Sequence, residues 1–359
     1  MLATLFVVGC RGEPLLSGTD GTSSSGEPSD SDEPIPEPVT SGTTGATSTS
    51  DDVGTEGETG TDDHMTSEGE TSETGEDPTE TSATSEDPTG EPMITCAKVD
   101  VLFVIDNHSG GGGSLATLAQ SIPGIAEEME VHLGDRDVHA MVIDTDDIWG
   151  QSYCQQQCDQ FGTCDAWPEY PCDVPLGECD ETLGAGLVYP GISQLPCEVV
   201  PGTRYLEGPP QEFADALACL TDVGNHGNGV QFQAQAMVEA LQPANDCNSG
   251  FLRDDAVLMV VLVSHAPDTL SIGTPESWIS SVSQIKGSTE AVVMVGLLDD
   301  SHLPEGECFD PGGDLDLRLH QFVEGFPNHI AGSVCANSYE PYIEQGLELM
   351  GEICEVIGT

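Results

Sequence analysis

The chain has 359 residues and is strongly acidic, with 64 Asp and Glu against 7 Lys and Arg and a formal net charge of −57 at pH 7. A field of this sign repels phosphate backbones and anionic lipid headgroups, so nucleic-acid binding and direct adsorption to a membrane surface are not expected. At roughly 150 residues per domain the length suggests two domains, but the apolar residues are concentrated in the C-terminal part of the chain.

The first ten residues, MLATLFVVGC, are an apolar run that ends in a cysteine. The run resembles the lipobox of bacterial lipoprotein signal peptides, in which a small residue precedes the cysteine that is lipidated. The basic residues that open an export signal are missing, which predicts a true start upstream of Met1. Residues 1–10 are therefore predicted to be a lipoprotein-type signal that is truncated at its start, with Cys10 as the lipidation site. The alternative is a chance apolar N-terminus with a free thiol.

Residues 11–95 consist almost entirely of Ser, Thr, Gly, Glu, Asp and Pro. Such a segment cannot bury enough apolar surface to offset its chain entropy, so it is predicted to be a disordered acidic linker. As a flexible chain it would span roughly 50 Å, enough to hold a domain clear of a membrane. One folded domain is then expected over 96–359.

Strands and helices alternate through this domain. Continuous apolar runs predict strands at 99–105, 137–144, 255–264 and 290–299. Helical spacing predicts helices at 114–133, 211–220, 230–241, 275–286, 315–326 and 339–357. An irregular insert rich in Cys, Pro and Gly is expected at about 150–210. Strands that are apolar on both faces and alternate with helices predict an α/β fold, with a doubly wound, mostly parallel sheet flanked by helices.

Twelve of the 13 cysteines lie within this domain. An even number at this density is typical of exported proteins, so we expect up to six disulfides, which would also order the insert. The alternative is a zinc site in CQQQCDQFGTC, whose first spacing resembles a metal knuckle. The candidate disulfide residues are Cys96, Cys154, Cys158, Cys164, Cys172, Cys179, Cys197, Cys219, Cys247, Cys308, Cys335 and Cys354.

The segment VDVLFVIDNHSGGGGS resembles the first strand and metal loop of von Willebrand factor type A domains, in which a DxSxS motif follows the strand. Three later segments, GNGVQFQAQAMVEAL, NSGFLRDDAVLMVVLVSHAPDTLS and GSVCANSYEPYIEQGLELMGEIC, resemble Cys-rich, lipid-anchored type A proteins of myxobacteria-like bacteria. The resemblance runs from about Lys98 to Cys354. It implies a Rossmann-like type A fold and recognition of other proteins through the loops at the carboxyl edge of the sheet.

The resemblance also implies a metal-ion-dependent adhesion site, in which oxygen ligands from three loops hold a divalent cation. This chain matches that pattern in part. Asp106 is kept, but His108 or Ser109 takes the place of the first serine, and His265 stands where an Asp is expected after the central strand. The candidate metal ligands are Asp106, His108, Ser109, His226, His265 and Asp268.

Three interpretations of this crevice stay open. A Mg²⁺ site would use Asp106, Ser109 or Ser114, and Asp268. A site changed to a softer metal would use the imidazoles, which suit Zn²⁺. A fold that has lost its metal would use the glycine run only to close a strand-to-helix turn. We expect no cofactor and, if one divalent cation binds, Zn²⁺ in preference to Mg²⁺.

An enzyme is not expected. The run SGGGGS lacks the lysine of a P-loop and the spacing of a dinucleotide-binding loop, so no nucleotide is expected. A hydrolase triad of Ser109, His265 and Asp268 would lack the GxSxG elbow.

The predicted function is therefore presentation of a protein-binding, adhesion-like type A domain on a long acidic tether, with a degenerate metal site. The protein is expected to be exported and to face the periplasm or the cell surface, attached to the membrane only through its lipid. The alternative is a structural spacer lipoprotein with a metal-free type A fold that binds no partner.

Overall fold

The computed structural model describes residue 94 and residues 96–108, 110–147, 152–165, 170, 172–173, 177–191, 196–224, 230–308 and 317–357. These residues belong to one unit of the chain, Ser82–Thr359. The other unit, Met1–Thr81, lies outside the described residues, and so do the predicted signal with Cys10 and all of the predicted linker except Ile94. Two of the predicted site residues, Ser109 and His226, also lie outside them.

Six strands form one sheet in the described part of the chain. They are β1 (Lys98–Ile105), β2 (Asp137–Asp144), β3 (Leu206–Gly208), β4 (Val257–Ser264), β5 (Val292–Leu298) and β6 (Asn328–Ser333). Their order is β3-β2-β1-β4-β5-β6, and every neighbouring pair is parallel except β2 with β3. The four central strands are buried nearly throughout, because their apolar runs cover both faces. The predicted doubly wound, mostly parallel sheet is confirmed.

Seven α-helices accompany these strands. They are α1 (Gly112–Leu133), α2 (Ser152–Phe161), α3 (Ala214–Thr221), α4 (Gln233–Leu241), α5 (Pro275–Lys286), α6 (Arg318–Glu324) and α7 (Glu340–Ile357). Helices α1, α3 and α7 pack together, and α4, α5 and α6 form a second group. The two groups cover opposite faces of the sheet, and a hydrophobic core lies on each face. Consecutive strand residues point to opposite faces, and Phe103 lies in one core while Leu102 and Val104 lie in the other.

Three elements were not expected from the sequence. β6 has the sequence NHIAGS, which lacks a continuous apolar run because it is a half-exposed edge strand. β3 has only three residues. The insert at 150–210, expected to be irregular, contains the ten-residue helix α2, whose sequence SYCQQQCDQF shows little helical apolar spacing.

All twelve cysteines of the domain form six disulfides, which confirms the expected disulfide framework. The pairs are Cys96–Cys354, Cys154–Cys164, Cys158–Cys172, Cys179–Cys247, Cys197–Cys219 and Cys308–Cys335. The alternative of a zinc knuckle in the insert is wrong, because its three sulfur atoms are used in disulfides and leave no thiolate for a metal. Two of the bridges hold α2 in a small cluster of its own, around Tyr170.

Candidate functional site

The candidate site lies at the carboxyl edge of the sheet, where loops follow the ends of adjacent parallel strands. Ile105, the last residue of β1, is in register with Asp144 of β2 and Val263 of β4. Side chains that come directly after these strands are therefore brought to one edge, as expected for an open α/β sheet.

Asp106 lies at the centre of this edge and is buried. One carboxylate oxygen, Oδ1, accepts a hydrogen bond from the His108 backbone N–H at 2.9 Å. The other, Oδ2, accepts from the Ser264 hydroxyl at 3.0 Å and from the Ala266 backbone N–H at 2.9 Å. Three protein donors thus satisfy the carboxylate, which ties the loop after β1 to the loop after β4.

Asp268 is buried and is directed at helix α4. Its Oδ2 accepts from the Ala234 backbone N–H at 2.9 Å, and its Oδ1 accepts from the Ser271 backbone N–H at 2.9 Å. Ala234 lies in the first turn of α4, where backbone N–H groups have no partner within the helix. Asp268 therefore acts as an N-terminal cap supplied from another loop, and its negative charge also suits the helix dipole.

Two histidines flank the glycine run. The His108 ring accepts a hydrogen bond through Nδ1 from the Gly110 backbone N–H at 3.0 Å. A Cβ atom built on Gly110 would lie 3.1 Å from His108 Nδ1 and 3.9 Å from His265 Cδ2. The structure thus brings Asp106, His108 and His265 to one edge, while the Asp268 carboxylate faces α4. His265 is exposed.

A second polar group lies at the same edge, between the ends of β1 and β2, and was missed by the sequence analysis. The Asn107 side chain donates through Nδ2 to Asp144 Oδ2 and to Asp146 Oδ2, at 3.2 Å in each case. All three residues are buried, with relative exposures of 2%, 8% and 1%. Burial, together with the nearby charge of Asp146, raises the pKa of the Asp144 carboxyl well above its ordinary value. The available signal was the repetition of VID followed by polar residues at the ends of both strands.

The loops around this edge also expose large apolar side chains. The segment before α4 contacts the loop after β2, because Phe232 donates its backbone N–H to the Thr145 carbonyl. The start of α6 contacts the loop after β4, because the Arg318 side chain donates to the Ser271 carbonyl. We call the exposed apolar side chains on these loops and on the loop after β5 the apolar rim: Val230, Leu270, Ile272, Leu303 and Leu317.

Away from this edge, three possible ligands meet between α1 and α7. Ligand atoms of Glu128, His132 and Glu344 all lie within 4.8 Å of one another, and each side chain is partly exposed. His132 Nε2 is 3.4 Å from the Glu128 carboxylate, one helical turn away. The group is compatible with a divalent cation, but the contacts are also those of an ordinary surface ion pair.

No family model matches the chain, and no curated protein sequence matches it. Among solved structures, the chain is similar to proximal thread matrix protein 1 from the mussel byssus in a second crystal form. The identity is 8% and the TM-score 0.36, and the match covers 73% of this chain and 49% of the mussel chain. A structure of the same mussel protein with a zinc-occupied MIDAS motif gives 9% identity and a TM-score of 0.35, with the same coverage.

This chain therefore spans about half the length of the solved chains that it matches. Its own strand order, with parallel pairing everywhere except at β3, is what defines the architecture. The fold is a doubly wound, mostly parallel α/β sheet with a disulfide-rich insert.

Proposed function

We propose that this chain is an exported, lipid-anchored protein whose von Willebrand A-like domain binds a protein partner through the carboxyl edge of its sheet. The observation that carries the proposal is the apolar rim. Ile272 is 80% exposed, and Leu270 and Leu303 are about half exposed, on loops that surround a polar, internally bonded crevice. Exposed apolar side chains on loops around a polar site are typical of protein-binding surfaces.

Export is supported by the six disulfides, which persist in oxidising compartments. No helix in the described part of the chain is long and apolar enough to cross a membrane. The lipid anchor is proposed from the sequence around Cys10, and the acidic linker would then serve as its tether.

The proposed binding does not depend on a metal at Asp106. Its carboxylate already accepts three hydrogen bonds from the protein, and Asp268 is used to cap α4. These donors use three of about four lone-pair positions on the Asp106 carboxylate, which leaves little capacity there for a cation. We therefore assign partner recognition to the rim, and assign no catalysis to the crevice.

Capture by the immobilised protein from an envelope extract of the source cells tests the binding proposal. The Leu270→Ser, Ile272→Ser double variant should lose a partner that the wild type retains, in EDTA as well as in Mg²⁺. Val131→Ser is the matched control, because Val131 is a 68% exposed valine on α1, outside the rim. Equal capture by all three proteins would contradict the proposal, and no specific capture at all would favour the spacer alternative.

Metabolic labelling of the protein in its source cells with a fatty-acid probe tests the anchor separately. Label should be present in the wild type and absent in Cys10→Ser, which should also be released from the membrane fraction. Labelling that persists in Cys10→Ser would exclude this anchor without affecting the binding proposal.

A further inference from the structure

We propose that Asn107, Asp144 and Asp146 form a binding site for one hard divalent cation, Ca²⁺ or Mg²⁺, at the seam between β1 and β2. The site is separate from the position of the metal-ion-dependent adhesion site, which involves the seam between β1 and β4. It does not depend on the proposed partner binding.

The first observation is the burial of two neighbouring carboxylates. Asp144 ends β2, Asp146 follows two residues later, and both are more than nine-tenths buried. Two carboxylates that share a buried site repel each other unless one is protonated or a cation lies between them. Such a pair is by itself compatible with either state.

The second observation concerns the Asn107 amide, which supplies a further oxygen beside the pair. Asn107 is 2% exposed and is aimed into the pair, yet its Oδ1 accepts no hydrogen bond from any described residue. A buried amide oxygen without a partner is costly, typically about 1–3 kcal/mol. It is also a hard oxygen ligand of the kind that Ca²⁺ takes from asparagine.

A half-turn of the amide about its last side-chain bond exchanges Nδ2 and Oδ1. The oxygen would then lie close to 3.2 Å from Asp144 Oδ2 and from Asp146 Oδ2, where Nδ2 lies now. Adjacent ligands at right angles around one cation are roughly 2.9 Å apart for Mg²⁺ and roughly 3.3–3.7 Å apart for Ca²⁺, given their usual ligand distances. The amide oxygen would therefore have the spacing of a neighbouring ligand to each of the two carboxylate oxygens.

The third observation is a cavity beside the pair. It measures about 10 Å³, enough for one water-sized ion, and Asp144, Asp146 and the exposed Asp147 help to line it. Arg204, the basic residue of its lining, is already paired with Asp180 at 2.5 Å and also donates to the Gly186 carbonyl. The cavity thus keeps a negative field beside the pair and has room for one water-sized ligand.

The donor set consists of oxygen atoms, which favours Ca²⁺ or Mg²⁺ over Zn²⁺. Bound there, the cation would hold the loop after β1 against the loop after β2. For a site of this kind on an extracellular domain, half-saturation is expected at about 0.1–1 mM Ca²⁺.

Calorimetric titration of the chelator-treated, disulfide-intact protein with CaCl₂ and then MgCl₂ tests the proposal. Asp146→Asn and Asn107→Leu should weaken binding at least tenfold, whereas Asn107→Asp, which keeps an oxygen ligand, should retain it. Asp135→Asn is the control for lost charge, because Asp135 is exposed before the start of β2. His132→Ala separates this site from the group between α1 and α7, and should bind Ca²⁺ as the wild type does.

The proposal would be overturned if the wild type bound neither Ca²⁺ nor Mg²⁺ at about 10 mM, which is tenfold above the upper end of the expected half-saturation range. Binding of equal strength in Asp146→Asn would also overturn it. In either case the buried pair is held without a cation. Wild-type binding that is weakened in Asp146→Asn and Asn107→Leu, but not in the control, supports it.

Discussion

At the scale of single residues, the aspartates at the carboxyl edge of the sheet have different structural roles, although the sequence alone does not distinguish them. Asp106 joins two loops, Asp268 caps a helix, and Asp144 and Asp146 lie together around an amide. The sequence predicted that Asp106 would reach this edge, because it directly follows a buried parallel strand. It could not predict the cap, because the N–H groups that Asp268 accepts from become its neighbours only through tertiary packing.

Replacement of Asp268 by alanine should lower the free energy of unfolding by about 1–3 kcal/mol, since two buried backbone N–H groups lose their acceptor. Urea denaturation measures the effect. The loss should be the same in EDTA and in Mg²⁺, because the role is structural. If Asp268→Ala were less stable than the wild type in Mg²⁺ but equally stable in EDTA, Asp268 would be a metal ligand instead.

Tyr339 provides a prediction about pH. Its hydroxyl is buried and donates to the Val334 carbonyl at 2.6 Å, and burial raises the pKa of this phenol well above 10. Above about pH 10 the unfolded chain ionises this group while the folded protein does not, so its stabilising contribution is full below that pH and declines above it.

Tyr339→Phe should therefore lower the free energy of unfolding by about 1 kcal/mol at pH 7. The difference between wild type and variant should shrink between about pH 9 and 11. Denaturation across that range measures both effects. A difference that stays constant up to pH 11 would be inconsistent with a raised pKa for this group.

At the scale of elements, the sequence predicted those that are buried on both faces. Continuous apolar runs form β1, β2, β4 and β5. Both faces of these strands are buried, which explains why the apolar runs were enough to predict them. β6 and α2 were missed because their stability comes from elsewhere: β6 pairs with β5 as an edge strand, and two disulfides hold α2.

Helix α2 should consequently depend on its bridges. In the Cys154→Ser, Cys164→Ser variant, the amides of α2 should lose protection in hydrogen exchange, while those of β1 and β4 stay protected. A bridge of this short separation typically contributes about 2–4 kcal/mol by restricting the unfolded chain. Unchanged protection of α2 would mean that packing, and not the disulfide, orders the insert.

At the scale of the whole molecule, the Cys96–Cys354 disulfide joins the residues just before β1 to the end of α7. The bridge encloses a sequence separation of 258 residues, almost the entire domain. Both joined segments lie at the amino edge of the sheet, opposite the apolar rim, because β1 starts there and α7 runs back from β6. The two ends of the domain are therefore held together on the side of the sheet where β1 begins.

The Cys96→Ser, Cys354→Ser variant should be less stable by about 2–5 kcal/mol, since the long closure restricts the unfolded chain. Chemical denaturation of the two oxidised proteins measures this. Mass spectrometry after reduction and alkylation should count, among the cysteines from Cys96 to Cys354, twelve thiols in the wild type and ten in the variant, from six and five bridges. Equal denaturation midpoints would show that the terminal helix holds its place without the bridge.

The same bridge has a mechanical consequence. A partner that pulls on the apolar rim against a fixed N-terminal tether would load the domain from one edge of the sheet to the other, along the direction of β1. Part of that load would pass through the covalent bond into α7 instead of peeling β1 away from its neighbours. The domain would then resist being drawn out from its tethered end.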